Sequence, residues 1–267
     1  SGFHPFTLNE LLSPDQLAEL HSEVLGYGQT NGSVKLRKRI AALYSELTED
    51  NALVCNGSSE ANFVACHTLL RKGDEVVIPT PYWVSYSAMV SLADGIPVFV
   101  HPAEDANYKV TAEQLESAIT EKTKMIMLNS PNNPSGSVFS NHEYLEFSKV
   151  LEKYPNIIVI SDEIYEHINY DFKTPSFACM PGMYDRTITV NGVSKAFAMT
   201  GWRIGYLAAS KKIAKACNKM QGQITSGANC IAQQAAIKAL IEPPSKIKYM
   251  VDEFKKRRDI VLELLGK

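Results

Sequence analysis

Short apolar runs alternate with helix-patterned segments along most of this chain, and that alternation confines it to a small set of folds. The runs are residues 52–55, DEVVIP at 74–79, residues 97–101, MIML at 125–128, NIIVI at 156–160, TITV at 187–190 and residues 204–208. Between them, apolar residues recur at helical spacing near 34–47, after Ser58, and near 84–92, 112–119 and 142–151. Such strand and helix alternation predicts an α/β fold built on a mostly parallel sheet covered on both faces. Near the N-terminus, Ser13, Pro14 and Gln16 form a capping-box pattern with Pro at the first helical position. From residue 211 the pattern is helical, broken by SGAN at 226–229 and EPPS at 242–245, and it ends in the charged segment YMVDEFKKRRDIVLELLGK.

Three segments carry the chemistry. In NGVSKAFAMTGWRIGY (191–206), Lys195 follows Ser194 and precedes Arg203 by eight residues. A lysine amine forms a Schiff base with an aldehyde, and pyridoxal phosphate is the cofactor that recruits one routinely. Ser194 and Arg203 can share its phosphate, since the guanidinium fork matches phosphate oxygens. An isolated Ser-Lys pair is more often a solvated surface feature, so the other two segments matter. SDEIYEH (161–167) follows an apolar run, which sets Asp162 at the C-terminal end of a buried strand, the edge where α/β sheets bind ligands. A carboxylate there can keep a pyridine nitrogen protonated; alone, Asp162 is equally a helix cap. Tyr165 can donate to the cofactor's phenolic oxygen. NSPNNPSG (129–136) is a Pro/Asn/Gly turn after MIML, and its Asn133 can supply a second donor.

In these motifs the chain resembles the class I/II aminotransferases, pyridoxal phosphate enzymes of fold type I, from about residue 26 to the end. The resemblance implies Lys195 as the Schiff-base lysine, Asp162 on the pyridine nitrogen, Asn133 and Tyr165 on the phenolic oxygen, and Ser194 and Arg203 on phosphate. It also places Trp83, in PTPYWVSY (79–86), against the cofactor ring, where the alternative is ordinary half-buried packing. NGSSEAN (56–62) matches the phosphate loop, with Gly57, Ser58 and Ser59 presenting N–H groups and hydroxyls at a helix N-terminus, a role compatible with simple capping. Tyr27 matches a tyrosine that reaches the phosphate of a neighbouring subunit, implying a homodimer. The implied organisation is an N-terminal segment (1–25), a cofactor-binding large domain (26–241) and a linker helix (242–267) toward a small C-terminal domain that the chain is expected to lack.

The implied activity is a ping-pong transfer of an amino group from an amino acid to a 2-oxo acid, with Lys195 moving the proton. Some members that use dicarboxylates carry a lysine where this chain has Ser59, which weighs against aspartate. It does not exclude it; Tyr86, Tyr165 and Trp83 can equally line a pocket for aromatic or aliphatic side chains. A β-lyase or cyclising synthase would keep the same cofactor residues, and a non-catalytic cofactor-binding module is the remaining alternative.

Composition narrows the partners. With 27 Lys plus Arg against 29 Asp plus Glu, a net charge of −2 gives no electrostatic reason to expect nucleic acid or an anionic membrane. No apolar run approaches the ~18 residues of a membrane span, and SGFHPFTLNELL lacks the basic and apolar parts of a signal peptide. The six histidines show no metal-ligand pairing. Five cysteines, without CxxC spacing, read as reduced thiols of a cytoplasmic protein.

Overall fold

Helix starts follow the local chemistry that the sequence predicts. In the computed structural model, which describes residues 7–266 apart from 25, 105, 171–174, 242 and 243, Ser13 and Gln16 cap one another's backbone N–H groups. The same reciprocal pair recurs at Thr111 with Gln114 and at Ser140 with Glu143. The helices are α1 (Leu8–Leu11), α2 (Pro14–His21), α3 (Val34–Ala41), α4 (Ser58–Leu69), α5 (Ser85–Leu92), α6 (Ala112–Ser117), α7 (Asn141–Glu152), α8 (Lys211–Gly222), α9 (Cys230–Ile241) and α10 (Lys248–Leu264). The strands are β1 (Ala52–Cys55), β2 (Glu75–Pro79), β3 (Ile96–Val100), β4 (Thr123–Asn129), β5 (Ile158–Asp162), β6 (Thr187–Gly192) and β7 (Gly205–Ala208).

The strands form one sheet in the order β1-β7-β6-β5-β4-β2-β3. Pairing is parallel from β3 through β6, whereas β7 runs antiparallel to both its neighbours, β6 and β1. The expected mostly parallel α/β sheet is thus present, with one reversed strand inside it. Strand alternation sends successive side chains to opposite faces, and both faces are apolar. Leu53, Cys55, Val76, Ile78, Met125 and Met127 pack with α4, α5 and α8 on one side. Ala52 and Val54 meet α3, α9 and Met250 of α10 on the other, while Val77, Ile126 and Leu128 meet α6 and α7.

Element boundaries moved in one instructive place. The helical pattern expected to run to residue 47 stops at Ala41, followed by turns and by Glu46 at a φ of 68°. In that turn the Tyr44 hydroxyl pairs with that of Tyr206 on β7 at 3.0 Å, which draws Tyr44 inward while Leu43 stays exposed. The EPPS break, the 241/242 boundary and part of the loop after Tyr165 fall at residues 242–243 and 171–174, outside the described residues. Cys55, Cys66 and Cys217 are buried, and burial pushes the Cys66 thiol up to about 12. Among the described residues no helix is long and apolar enough to cross a membrane, and no cluster of three His, Cys, Asp or Glu groups suits a metal ion.

Candidate active site

Strands β4, β5 and β6 end side by side, with Asn129 opposite Asp162 and Asp162 opposite Val190. Because β7 is reversed, it begins at that same edge, pairing Gly205 with both Gly192 and Cys55. Residues that follow β1, β4, β5 and β6 therefore meet residues that precede β7. A cavity of about 150 Å³ opens there, lined by Ser58, Ser59, Trp83, Asn133, Asp162, Tyr165, Ser194, Lys195 and Arg203 among others. Nine of the residues predicted to hold the cofactor, from five separate segments, share this one space with Tyr86.

Asp162 is 3 % exposed at the tip of β5. Its Oδ2 accepts hydrogen bonds from the Tyr86 hydroxyl at 2.8 Å and from Asn62 Nδ2 at 2.9 Å, and its Oδ1 from the backbone N–H of Ile164 at 3.3 Å. Burial pushes this carboxyl above the usual carboxylate range; the three donors and the positive charge of Lys195 pull it back. The Ile164 N–H bond is a local, cap-like contact, whereas the Tyr86 and Asn62 bonds come from distant helices. Asn133 Nδ2 lies 3.4 Å from the Tyr165 hydroxyl as donor, so the two groups expected to share one oxygen are neighbours. Asn133 is itself seated by its backbone N–H on Asn129 Oδ1 at 2.8 Å, while Asn129 Nδ2 donates to the Asp162 carbonyl at 2.9 Å. Asn129 stitches the ends of β4 and β5 together.

Lys195 stands in the turn after β6 with its Nζ 5.8 Å from the centre of the Tyr165 ring. Its backbone is anchored by Val193, Ala196, Phe197 and Met199, all buried in the α3/α9 layer. Arg203 adopts a left-handed conformation, φ 53° and ψ 48°, and donates to the carbonyls of Thr200 at 3.0 Å and Asn56 at 3.3 Å. That swings its guanidinium against Gly57, whose φ of +85° favours glycine and where a Cβ would overlap the guanidinium. Gly57, and neither serine, is the N-cap of α4; among the described residues no side chain caps this helix start, and Ser58 and Ser59 are its first residues. Trp83 is half-buried and meets Tyr86 edge to face at 5.4 Å.

The structure separates one predicted residue from the rest. Tyr27 is fully exposed and lies in a surface depression with Gly28, Gln29 and residues 225–231, away from the cavity. Sequence reasoning missed Asn62 and the bond of Tyr86 to Asp162: Tyr86 lines the cavity as expected, yet its hydroxyl is spent on the carboxylate. A larger cavity of about 920 Å³ lies elsewhere, beside Tyr44, Glu166 and Thr187, and none of the predicted residues lines it.

The next residue on the chain, Glu163, points away from this space, 2 % exposed, its Oε1 accepting from Ser161 Oγ, Ser176 Oγ and the Phe177 N–H. Burial, reinforced by the like charge of Glu166, pushes it up to about 8. A carboxyl that holds its proton longer when folded makes stability fall as pH rises from about 4.5 to about 8. Glu163→Gln keeps the accepting oxygen and removes the ionisation. It is expected to raise the melting temperature at pH 8–9, by an effect on the order of a few kcal/mol, and to leave it nearly unchanged at pH 4–5. Thermal melts across that range check it, and equal effects at both ends would refute it.

Comparison with known proteins follows the same lines. The family model described as aminotransferase class I and II matches residues 5–267. The bifunctional aspartate aminotransferase and glutamate/aspartate-prephenate aminotransferase of Petunia hybrida is 43 % identical over 249 residues, covering 90 % of this chain and 52 % of that protein. The crystal structure of the aspartate aminotransferase from Rhizobium meliloti superposes with a TM-score of 0.89 at 39 % identity, covering 93 % of this chain and 64 % of that one. The aromatic aminotransferase from Pyrococcus horikoshii OT3 gives 0.89 at 35 % identity, over 94 % and 70 %. The chain thus spans about half the length of the petunia protein.

Proposed function

Because this chain belongs to the class I and II aminotransferase family, whose cofactor is pyridoxal phosphate, we propose that the cavity at the sheet edge holds that cofactor and transfers amino groups between amino acids and 2-oxo acids. The observation that carries the reading is the convergence of Lys195, Asp162, Asn133 with Tyr165, and Arg203 on one small space. The donor set fits the cofactor at both ends. One end offers a guanidinium, the Ser194 hydroxyl and an uncapped helix start, which suits a phosphate; the other offers a buried carboxylate, which suits a protonated ring nitrogen.

When bound, the cofactor supplies a carbonyl that condenses with amines and a ring that takes up the electron pair left as a proton departs the amino acid's α-carbon. Lys195 Nζ holds the cofactor between turnovers and, once released, takes that proton and returns it one position away. Asp162 keeps the ring nitrogen protonated. Asn133 and Tyr165 donate to the ring's oxygen, Trp83 covers a ring face, and Arg203, Ser194, Ser58, Ser59 and the Gly57 backbone hold phosphate. Residues 26–241 act as the cofactor-binding domain. A second copy of the chain brings its own exposed Tyr27 to the phosphate, making the working unit a cytoplasmic homodimer.

Relatives named for aspartate make a dicarboxylate the first donor to try, and the aromatic relative makes an aromatic amino acid the second. The test is an absorbance spectrum of the protein with pyridoxal phosphate before and after each amino acid, without a 2-oxo acid. One donor should convert one equivalent of cofactor and then stop until an acceptor is added. Turnover continuing without acceptor would favour a lyase, and no response to any amino acid would leave a cofactor-binding module.

A further inference from the structure

Asn62 is fully buried on α4, among Ala61, Val64, Ala65 and Cys66, which are also fully buried. An amide in such company needs a reason. Its Nδ2 donates to Asp162 Oδ2 at 2.9 Å, while its own Oδ1 is buried with no hydrogen-bond partner among the described residues. Burying an acceptor unpaired is unfavourable, so packing alone would favour an apolar residue here. The orientation is dictated by charge, because turning the amide over would set its oxygen against a carboxylate oxygen. Asn62 also lies three and four residues beyond Ser59 and Ser58, on the same face of one helix. One rigid element thus links the helix start assigned to phosphate with the carboxylate assigned to the ring.

We propose that Asn62 is a positioning residue that, with Tyr86, ties down Asp162 Oδ2, keeping the carboxylate charged and leaving Oδ1 to face the ring nitrogen of the cofactor. Two side-chain donors converge on Oδ2, whereas among the described residues Oδ1 has only the Ile164 N–H at 3.3 Å and retains accepting capacity. Without Asn62 the buried carboxylate loses a donor, its proton affinity rises, and it takes over the proton that would otherwise sit on the ring nitrogen.

This inference rests on the proposed cofactor role, and the experiment separates the two. Pyridoxal phosphate labelled with ¹⁵N in the ring is bound to the wild type, Asn62→Leu and Tyr86→Phe, and the ring-nitrogen NMR shift is followed against pH. In Asn62→Leu the ring-nitrogen shift at neutral pH should move toward that of the unprotonated ring, because the proton passes to a carboxyl whose affinity for it has risen by about one to two pH units, 10- to 100-fold. Tyr86→Phe should shift it the same way. A titration unchanged in Asn62→Leu while Tyr86→Phe moves it would overturn the inference, as would no shift in either. If the leucine variant fails to fold, judged by circular dichroism, Asn62→Ala is read the same way. No bound cofactor in the wild type would instead overturn the functional reading.

Discussion

Lys195→Ala is expected to abolish the absorbance band of lysine-bound cofactor, read after free pyridoxal phosphate is removed, and to lower transamination by about 10²–10⁴-fold or more, the scale of a lost general base. The turn that carries Lys195 is anchored by Val193, Ala196, Phe197 and Met199 in the core. Truncating a side chain that points into the cavity should therefore leave the fold intact. Borohydride reduction followed by mass spectrometry gives the direct check: the wild type gains cofactor mass on the peptide containing Lys195, and the variant gains none. Mass gained on another lysine would refute the assignment.

The second large effect is expected from Asp162→Asn. Oδ2 accepts from both Asn62 and Tyr86, so the new amide must direct its oxygen there. Its NH₂ group then takes the place of Oδ1, facing the Ile164 N–H and a ring proton it cannot accept. The reverse orientation sets the NH₂ group against two donors. Either way the variant loses the charge that stabilises the ring cation, a loss of about 10²–10³-fold if it resembles removal of other preorganised electrostatic groups. Misfit donors should also cost about 1–3 kcal/mol of stability. Stopped-flow half-reactions, with the visible band confirming that cofactor is still held, measure the first; denaturant titration measures the second. A half-reaction within about twofold of wild type would exclude the role.

Much of this site was legible because its parts are local. Asp162 follows an apolar strand, Asn133 a proline-rich turn, and Lys195 and Arg203 share one segment, so order and spacing along the chain located them. Asn62 and Tyr86 carry no such signature. Each is an ordinary helical residue until β5 brings Asp162 against it, 100 and 76 positions later. The early end of α3 was hidden for the same reason. The period of residues 42–47 continues a helix, whereas in the structure Tyr44 reaches a strand residue 162 positions later. Glu46 at positive φ completes the departure.

The reversed strand β7 also sets an order of events during synthesis. Strands β2 to β6 occupy residues 75–192 and pair with one another, so they can assemble as the ribosome delivers them. β1, made earlier, has β7 as its only neighbour among the described strands and must wait about 150 residues for it, a long loop to close. The loop at Gly57 packs its backbone against Gly205, where even a Cβ would collide with it. A nascent chain released before β7 emerges would thus carry Asp162 and Lys195 without the Gly57 loop pinned beside them, and capture of a phosphate-bearing ligand becomes a marker that the first and last strands have met.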